Sequence, residues 1–151
     1  MEYLLRADLI LINRMTIEVH GGGFTPPENL LNAGSLGYVL EAVQAEIFGQ
    51  KLHPTAAEIA AVYLHHIILG HIFQDGNKRT GLEAALLFLR LNDYRLQPGI
   101  LPLNEGDLAR RIPAQGDTPN QILFEFVMEV ASGKHALDVV KAWFEAHTSP
   151  R

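Results

Sequence analysis

The chain of 151 residues contains no cysteine. Disulfide bonds, a thiolate nucleophile and cysteine-ligated zinc are therefore excluded. An excess of positive charge is also lacking, because the formal net charge is −5 and the sequence has no basic tail or stripe. Since the neutralisation of phosphates dominates nucleic-acid affinity, we expect no direct binding of DNA or RNA by this chain.

Long hydrophobic runs are absent as well. The longest apolar segments contain His65, His66 or Glu83 and are too short to span a bilayer. The N-terminal stretch includes Glu2 and Asp8 and has no small-residue cleavage site, so it makes a poor signal peptide. We therefore expect a soluble cytoplasmic protein with no membrane partner.

Helical periodicity, by contrast, runs through nearly the whole chain. Hydrophobic residues make up 48% and charged residues 19%, which is typical of a packed globule, and the length fits one domain over residues 1–151. Three helices are predicted over about 4–19, 35–48 and 77–91. Another follows a capping box at Thr55 and Glu58, and a fifth follows a second capping box at 118–121 and reaches about 131. A last helix ends near 147.

The helix predicted over 77–91 is apolar almost around its full circumference, which is expected of a helix at the centre of a domain. Period-2 alternation is almost absent, and a short β-hairpin around 48–53 is the sole strand candidate. The predicted fold class is therefore all-α, a helical bundle around the 77–91 helix.

The stretch HIFQDGNKRTG, residues 71–81, concentrates the polar chemistry of the chain. It joins two predicted helices, and the amides of the first helical turn after Gly76 have no intrahelical acceptor. Together with the helix dipole they make an anion site, which Gly76 lets a ligand approach closely. Lys78 and Arg79 oppose the dipole of the bare helix there, and a bound phosphate would reverse that conflict.

Two further side chains of this stretch suit phosphate chemistry. Asp75 could hold a hard cation such as Mg²⁺, which takes one or two carboxylates and completes its shell with phosphate oxygens and waters. His71 is the nearby side chain able to act as a base close to neutral pH. The stretch therefore indicates transfer of a phosphorus group from a nucleotide to an acceptor hydroxyl.

The same residues resemble the signature of the Fic/Doc superfamily, and specifically H-x-F-x-D-x-N-K-R of its Doc (death-on-curing) toxin branch. The resemblance extends on both sides, through GSLGYVLEAVQAEIFGQKLHPTAAEIAAVYLHHIILG and LEAALLFLRLNDYRL. It implies that His71 is the catalytic base, that Phe73 anchors the loop in the core and that Asp75 holds Mg²⁺. The phosphates of ATP would lie in a cradle formed by Gly76, Asn77, Lys78 and Arg79.

The resemblance also implies a reaction and partners. Fic proteins that transfer AMP usually have Gly at the position of Lys78 and a second Arg at that of Leu82, whereas Doc toxins are kinases that phosphorylate a threonine of elongation factor Tu. The region 48–53 would be the flap on which the target docks. No Ser or Thr has Glu four residues later, as the inhibitory [S/T]-x-x-x-E-[G/N] helix requires, so inhibition would come from a Phd-type antitoxin chain.

Four alternatives stay open at this point. Transfer of AMP or another nucleotide moiety is the nearest, and a catalytically silent interaction module is another. His65 and His66 beside His71 and Asp75 suggest a metal-dependent phosphohydrolase, although a third ligand is missing and His66 fits a structural core histidine better. His20-Gly-Gly-Gly and the sequence AGSLG at 33–37 echo lipase motifs, but no strand pattern leads into the second.

Overall fold

The computed structural model describes residues 1–97 and 119–151, the latter with side chains from Ile122 onward. The capping box predicted at 118–121 lies outside the described residues and side chains. The elements in chain order are α1 (Arg6–His20), α2 (Ala33–Ala42), β1 (Glu46–Ile47), β2 (Gln50–Lys51), α3 (Ala56–Leu69), α4 (Asn77–Leu91), β3 (Tyr94–Leu96), α5 (Pro119–Ala131), α6 (Leu137–His147) and β4 (Thr148–Pro150). Helices predominate, which confirms the all-α prediction.

The core is built around the contact between α3 and α4, which is the most extensive in the described parts of the chain. Helix α3 also packs against α2, α5 and α6, and ten of its fourteen residues are buried, whereas six of the fifteen residues of α4 are. Helix α3 is thus the more enclosed of the two. Helix α4, predicted at the centre, contacts α1, α3, α5 and β3, but fewer than half of its residues are buried. None of the described helices is long and apolar enough to cross a membrane.

The N-terminus of α3 is fixed by the predicted capping box. The Thr55 hydroxyl accepts the Glu58 N–H at 3.1 Å, and the Glu58 carboxylate accepts the Thr55 N–H at 3.5 Å. These bonds satisfy amides that have no intrahelical acceptor, so the position at which α3 begins follows from local sequence alone.

The predicted hairpin is present, but it begins earlier than expected. Helix α2 ends at Ala42, so the helix predicted over 35–48 is wrong beyond that residue, and β1 and β2 pair antiparallel over 46–51. The two turn residues Phe48 and Gly49 have φ of 50° and 77°. Positive φ at both central positions is the geometry of a tight hairpin turn and is incompatible with a right-handed helix.

A second small sheet was not predicted. Strands β3 and β4 pair antiparallel, with Arg95 opposite Ser149, and join the segment after α4 to the segment after α6. Each strand has three residues, too few to show a period-2 pattern in the sequence.

Candidate active site

The residues His71 to Asp75 form a loop between α3 and α4 that is anchored at its middle. The side chains of Ile72 and Phe73 are buried, and the Ile72 carbonyl accepts the N–H groups of Leu31 at 2.8 Å and Asn32 at 3.0 Å. Phe73 forms an isolated antiparallel bridge with Leu30. The segment that precedes α2 therefore holds the loop against the core.

His71 is the exposed residue at the start of this loop. Its φ of 47° places it in the left-handed region, which turns the chain away from the end of α3. The buried neighbour Ile72 follows at once, so the backbone is fixed while the imidazole remains open to solvent. A base that must reach a hydroxyl of another molecule needs this placement.

Asn77, the first residue of α4, closes the loop from its other end. Its Oδ1 accepts the Phe73 N–H at 3.0 Å, and its Nδ2 donates to the Phe73 carbonyl at 2.9 Å. The Asn77 side chain, expected to contact phosphate, is thus engaged with the loop backbone, and its main-chain N–H is the group that remains at the helix start.

The N-terminus of α4 has the form of an anion site. Gly76 is the N-cap, with φ of 80° and no side-chain cap, and the first intrahelical bond runs from Thr80 N–H to Gly76 at 2.9 Å. The amides of Asn77, Lys78 and Arg79 precede that bond and therefore have no acceptor within the helix. The side chains of Lys78 and Arg79 are exposed. The free amides and the helix dipole thus favour an anion at this helix end, and two cationic residues stand in the same turn.

The Asp75 carboxylate is held in front of the same helix end. Its Oδ1 accepts the Gly76 N–H at 2.8 Å, and its Oδ2 accepts the Gly23 N–H at 2.9 Å. These two bonds, first that from Gly23, lower the pKa of Asp75, and the charge of Lys78 lowers it further. The carboxylate is therefore ionised at neutral pH and lies within electrostatic reach of Lys78.

The chemistry of this loop fits Mg²⁺. Asp75 is exposed, and each of its oxygens accepts one backbone N–H and keeps a further lone pair. Mg²⁺ requires one or two carboxylates with phosphate and water oxygens, so a single fixed Asp beside an anion site is a suitable donor. Within residues 1–97 and 119–151, no group of three or more His, Asp or Glu side chains is placed to hold a metal ion.

The positions of His66 and of the AGSLG segment do not fit the phosphohydrolase and lipase alternatives. His66 is half-buried and stacks on Tyr38 with ring centroids 5.3 Å apart. Burial, with the charge of His65, lowers the pKa of His66 to about 4. The AGSLG sequence begins α2, where the Asn32 side chain caps the Ser35 N–H, so no strand precedes Ser35 as a nucleophile elbow would need.

The residue that links α1 to the loop is not among those predicted from the sequence. Asn13 is fully buried, and its Nδ2 donates to the Asp75 carbonyl at 2.9 Å and to the Thr80 hydroxyl at 3.1 Å. Its position between Leu9 and Ile17, at i−4 and i+4 on the buried face of α1, was the signal available. A lone amide on an apolar face has to find partners inside the fold.

Comparison with known proteins shows the family of the chain. Residues 3–89, more than half of the chain and including the whole loop, match the model of the Fic/DOC family. Protein kinase doc of Escherichia phage P1 is 35% identical over 98 residues, which cover 64% of this chain and 72% of that protein. Toxin Doc of Mycolicibacterium smegmatis is 32% identical over 83 residues, covering 46% of this chain and 64% of that protein. The chain therefore belongs to the Fic/DOC family, in its Doc branch.

Proposed function

We propose that this protein is a Doc-like toxin of a toxin–antitoxin pair, and that it is a kinase. It would transfer the γ-phosphate of ATP to a Ser or Thr hydroxyl of a translation factor such as elongation factor Tu. The observation that carries the proposal is the stretch His71–Arg79, in which an exposed imidazole, an ionised carboxylate and a helix start with free amides follow one another along the chain. The names of the two relatives, a kinase and a toxin, support the same activity.

Each residue has one task in this reaction. His71 takes the proton of the target hydroxyl, whose oxygen bonds to the γ-phosphorus as the bond from that phosphorus to the bridging oxygen breaks and ADP leaves. The amides from Asn77 to Arg79, with the two cationic side chains, balance the phosphate charge. Asp75 would hold Mg²⁺, which supplies charge neutralisation on the phosphate oxygens when bound.

Lys78 favours transfer of the terminal phosphate over transfer of AMP. Its charge contributes to the lowered pKa of Asp75, the carboxylate that would hold Mg²⁺ in this proposal. A long cation at this position obstructs the small anion hole that a glycine would leave open. Leu82 also cannot supply the second guanidinium that would clamp a nucleotide for AMP transfer.

One surface suits the docking of a target by such a toxin. At the tip of the β1–β2 hairpin, Phe48 is fully exposed, and Ile47 beside it is 53% exposed, which suits a flap that docks a target segment. Inhibition would be supplied in trans by a Phd-type antitoxin, since the sequence carries no inhibitory motif of its own.

The test is the intact mass of purified elongation factor Tu after incubation with this protein, ATP and Mg²⁺. A gain of one phosphate is expected, and His71→Ala should slow it by about 10²–10⁴-fold. His20→Ala is the matched control, because His20 is likewise exposed at the end of a helix. A gain of AMP would replace the kinase by nucleotidyl transfer, and no gain from an active preparation would reject this target.

A further inference from the structure

The buried amide of Asn13 lies within a chain of hydrogen bonds that has a defined direction. The Thr25 N–H donates to Asn29 Oδ1 at 2.8 Å, Asn29 Nδ2 donates to Asn13 Oδ1 at 2.9 Å, and Asn13 Nδ2 donates to the Asp75 carbonyl at 2.9 Å. A backbone N–H can only donate and a carbonyl can only accept. Both ends therefore fix which way each amide points, and Asn13 must present its NH₂ group to Asp75.

The carbonyl that Asn13 binds belongs to the peptide unit between Asp75 and Gly76. A peptide unit is planar, so holding its oxygen fixes the direction of its N–H. That N–H, on Gly76, donates to Asp75 Oδ1 at 2.8 Å. Asn13 thus orients the backbone donor that holds the carboxylate, although it contacts neither the carboxylate nor the anion-binding amides.

We propose that Asn13 is a positioning residue of this site: it fixes the Asp75–Gly76 peptide and, through it, the Mg²⁺-holding carboxylate and the first turn of α4. Its second bond, to the Thr80 hydroxyl at 3.1 Å, ties the same amide to that turn. The part of this inference that concerns Mg²⁺ rests on the proposed function, whereas the part that concerns the peptide does not.

The packing around Gly76 agrees with this role. A Cβ at Gly76 would lie 3.0 Å from Asn13 Nδ2 and 3.3 Å from Ile17 Cγ1. The site backbone is thus seated directly on α1 at the level of Asn13. Because no side chain intervenes, a change in the Asn13 amide is transmitted to the peptide rather than absorbed by a flexible contact.

The experiment compares Asn13→Ser with Asn92→Ser. Asn92 is the matched control, because its Nδ2 donates to the carbonyls of Glu2 and Phe88 and its Oδ1 accepts the Glu2 N–H. It therefore also makes three hydrogen bonds and lies at the opposite end of α4, about 22 Å from the site at 1.5 Å per residue. Two quantities are measured: the amide hydrogen exchange of Gly76, and the Mg²⁺ concentration that gives half-maximal phosphate transfer.

Asn13→Ser should accelerate exchange at Gly76 by about tenfold or more, because the peptide loses its anchor. It should also raise the Mg²⁺ requirement by about 10–100-fold, with much of kcat recovered at saturating Mg²⁺. Asn92→Ser should change neither quantity. Thr80→Val, which removes the second acceptor and keeps the side-chain shape, should give the same pattern more weakly, and it serves if Asn13→Ser does not fold.

Unchanged exchange at Gly76 in a folded Asn13→Ser or Thr80→Val protein would overturn the inference. So would a loss of activity without any change in the Mg²⁺ requirement, since that pattern is the result of general destabilisation. If the unmodified protein transfers no phosphate at any Mg²⁺ concentration while Gly76 exchange still depends on Asn13, the proposed reaction fails and the positioning role stands.

Discussion

Asn77 brackets the peptide groups of Phe73, accepting its N–H and donating to its carbonyl with one side-chain amide. The two residues are four apart, so the bonds close the turn that carries Asp75 between them. The Phe73 ring is buried at 1% exposure, which ties this turn to the core. The geometry of the loop before α4 therefore depends on one side chain that is bonded to the loop backbone.

We expect Asn77→Ala to lower the free energy of unfolding by about 1–3 kcal/mol, because two backbone groups of Phe73 lose their partner. Transfer activity should fall as well, since Asp75 is then less fixed. Gln74→Ala is the control: Gln74 is an exposed amide of the same loop with one longer bond, 3.3 Å to the Leu30 carbonyl. Urea unfolding measures the difference, and equal losses in the two variants would contradict this account.

The two glycines after α1 differ in what surrounds them. A Cβ at Gly22, where φ is 127°, would lie 2.9 Å from Asp75 Oδ2, whereas at Gly21, where φ is 88°, nothing lies within 4 Å. Both Gly→Ala variants should lose about 1 kcal/mol or more to backbone strain. Only Gly22→Ala should displace the Asp75 carboxylate and weaken its bond from the Gly23 N–H.

The pKa of Asp75 reports that displacement. It is lowered in the folded protein from 3.8, so the stability it contributes is present above 3.8 and is lost as the pH falls through the lowered pKa. Gly22→Ala should move this pKa back toward 3.8, and Gly21→Ala should leave it unchanged. Carboxyl NMR titration of Asp75 measures both. A shift of the same size in the two variants would attribute it to loop strain rather than to contact.

The loop around Asp75, between α3 and α4, was predictable because the sequence signals for the ends of both helices are local. Gly76 followed by Asn77 begins α4 where the apolar stripe begins, and the capping box at Thr55 fixes the start of α3. The two groups to which the Asn13 NH₂ donates, by contrast, lie 62 and 67 residues away along the chain. Sequence periodicity shows that such an amide faces the core, but it gives no information about which backbone group the amide will bind.

The error at the end of α2 has a different cause. The apolar residues between the end of α2 and Phe48 have a spacing that is compatible with both a helix and a hairpin, so the pattern does not distinguish the two. The hairpin is distinguished from the helix by the positive φ of Phe48 and Gly49. A Phe with positive φ is uncommon, so the local sequence preference argues against a turn at this position. The pairing of Glu46 with Lys51 and of Ile47 with Gln50 then fixes the hairpin.

The crossing of α3 and α4 depends on the absence of a side chain at Gly81. A Cβ there would lie 2.9 Å from Ile68 Cγ1 and 3.1 Å from the Leu64 carbonyl. Gly81→Ala should therefore destabilise the protein, although Ala in place of Gly within a helix would otherwise gain about 0.5–1 kcal/mol. The free energy of unfolding, measured in denaturant, should show the loss.

A double-mutant cycle isolates that contact. Ile68→Ala alone should cost about 2–5 kcal/mol, because it empties core volume. On the Ile68→Ala background, Gly81→Ala should cost less than it does alone or become stabilising, with a coupling of about 0.5–3 kcal/mol. Additive effects would show that the Leu64 carbonyl, and not Ile68, limits the approach of the helices.

The stacked ring of His66 predicts how stability changes in mild acid. Burial, with the charges of His65 and His53, lowers the pKa of His66 from 6.5 to about 4, so the unfolded chain binds the proton more readily than the fold does. Stability is then full above pH 6.5 and falls as the pH drops from 6.5 toward 4.

His66→Phe, which keeps an aromatic ring on Tyr38, should make this fall shallower, whereas His20→Phe at an exposed position should not. Urea midpoints at pH 4.5, 5.5 and 6.5 measure the slope, and equal slopes for His66→Phe and the unmodified protein would place the acid sensitivity elsewhere.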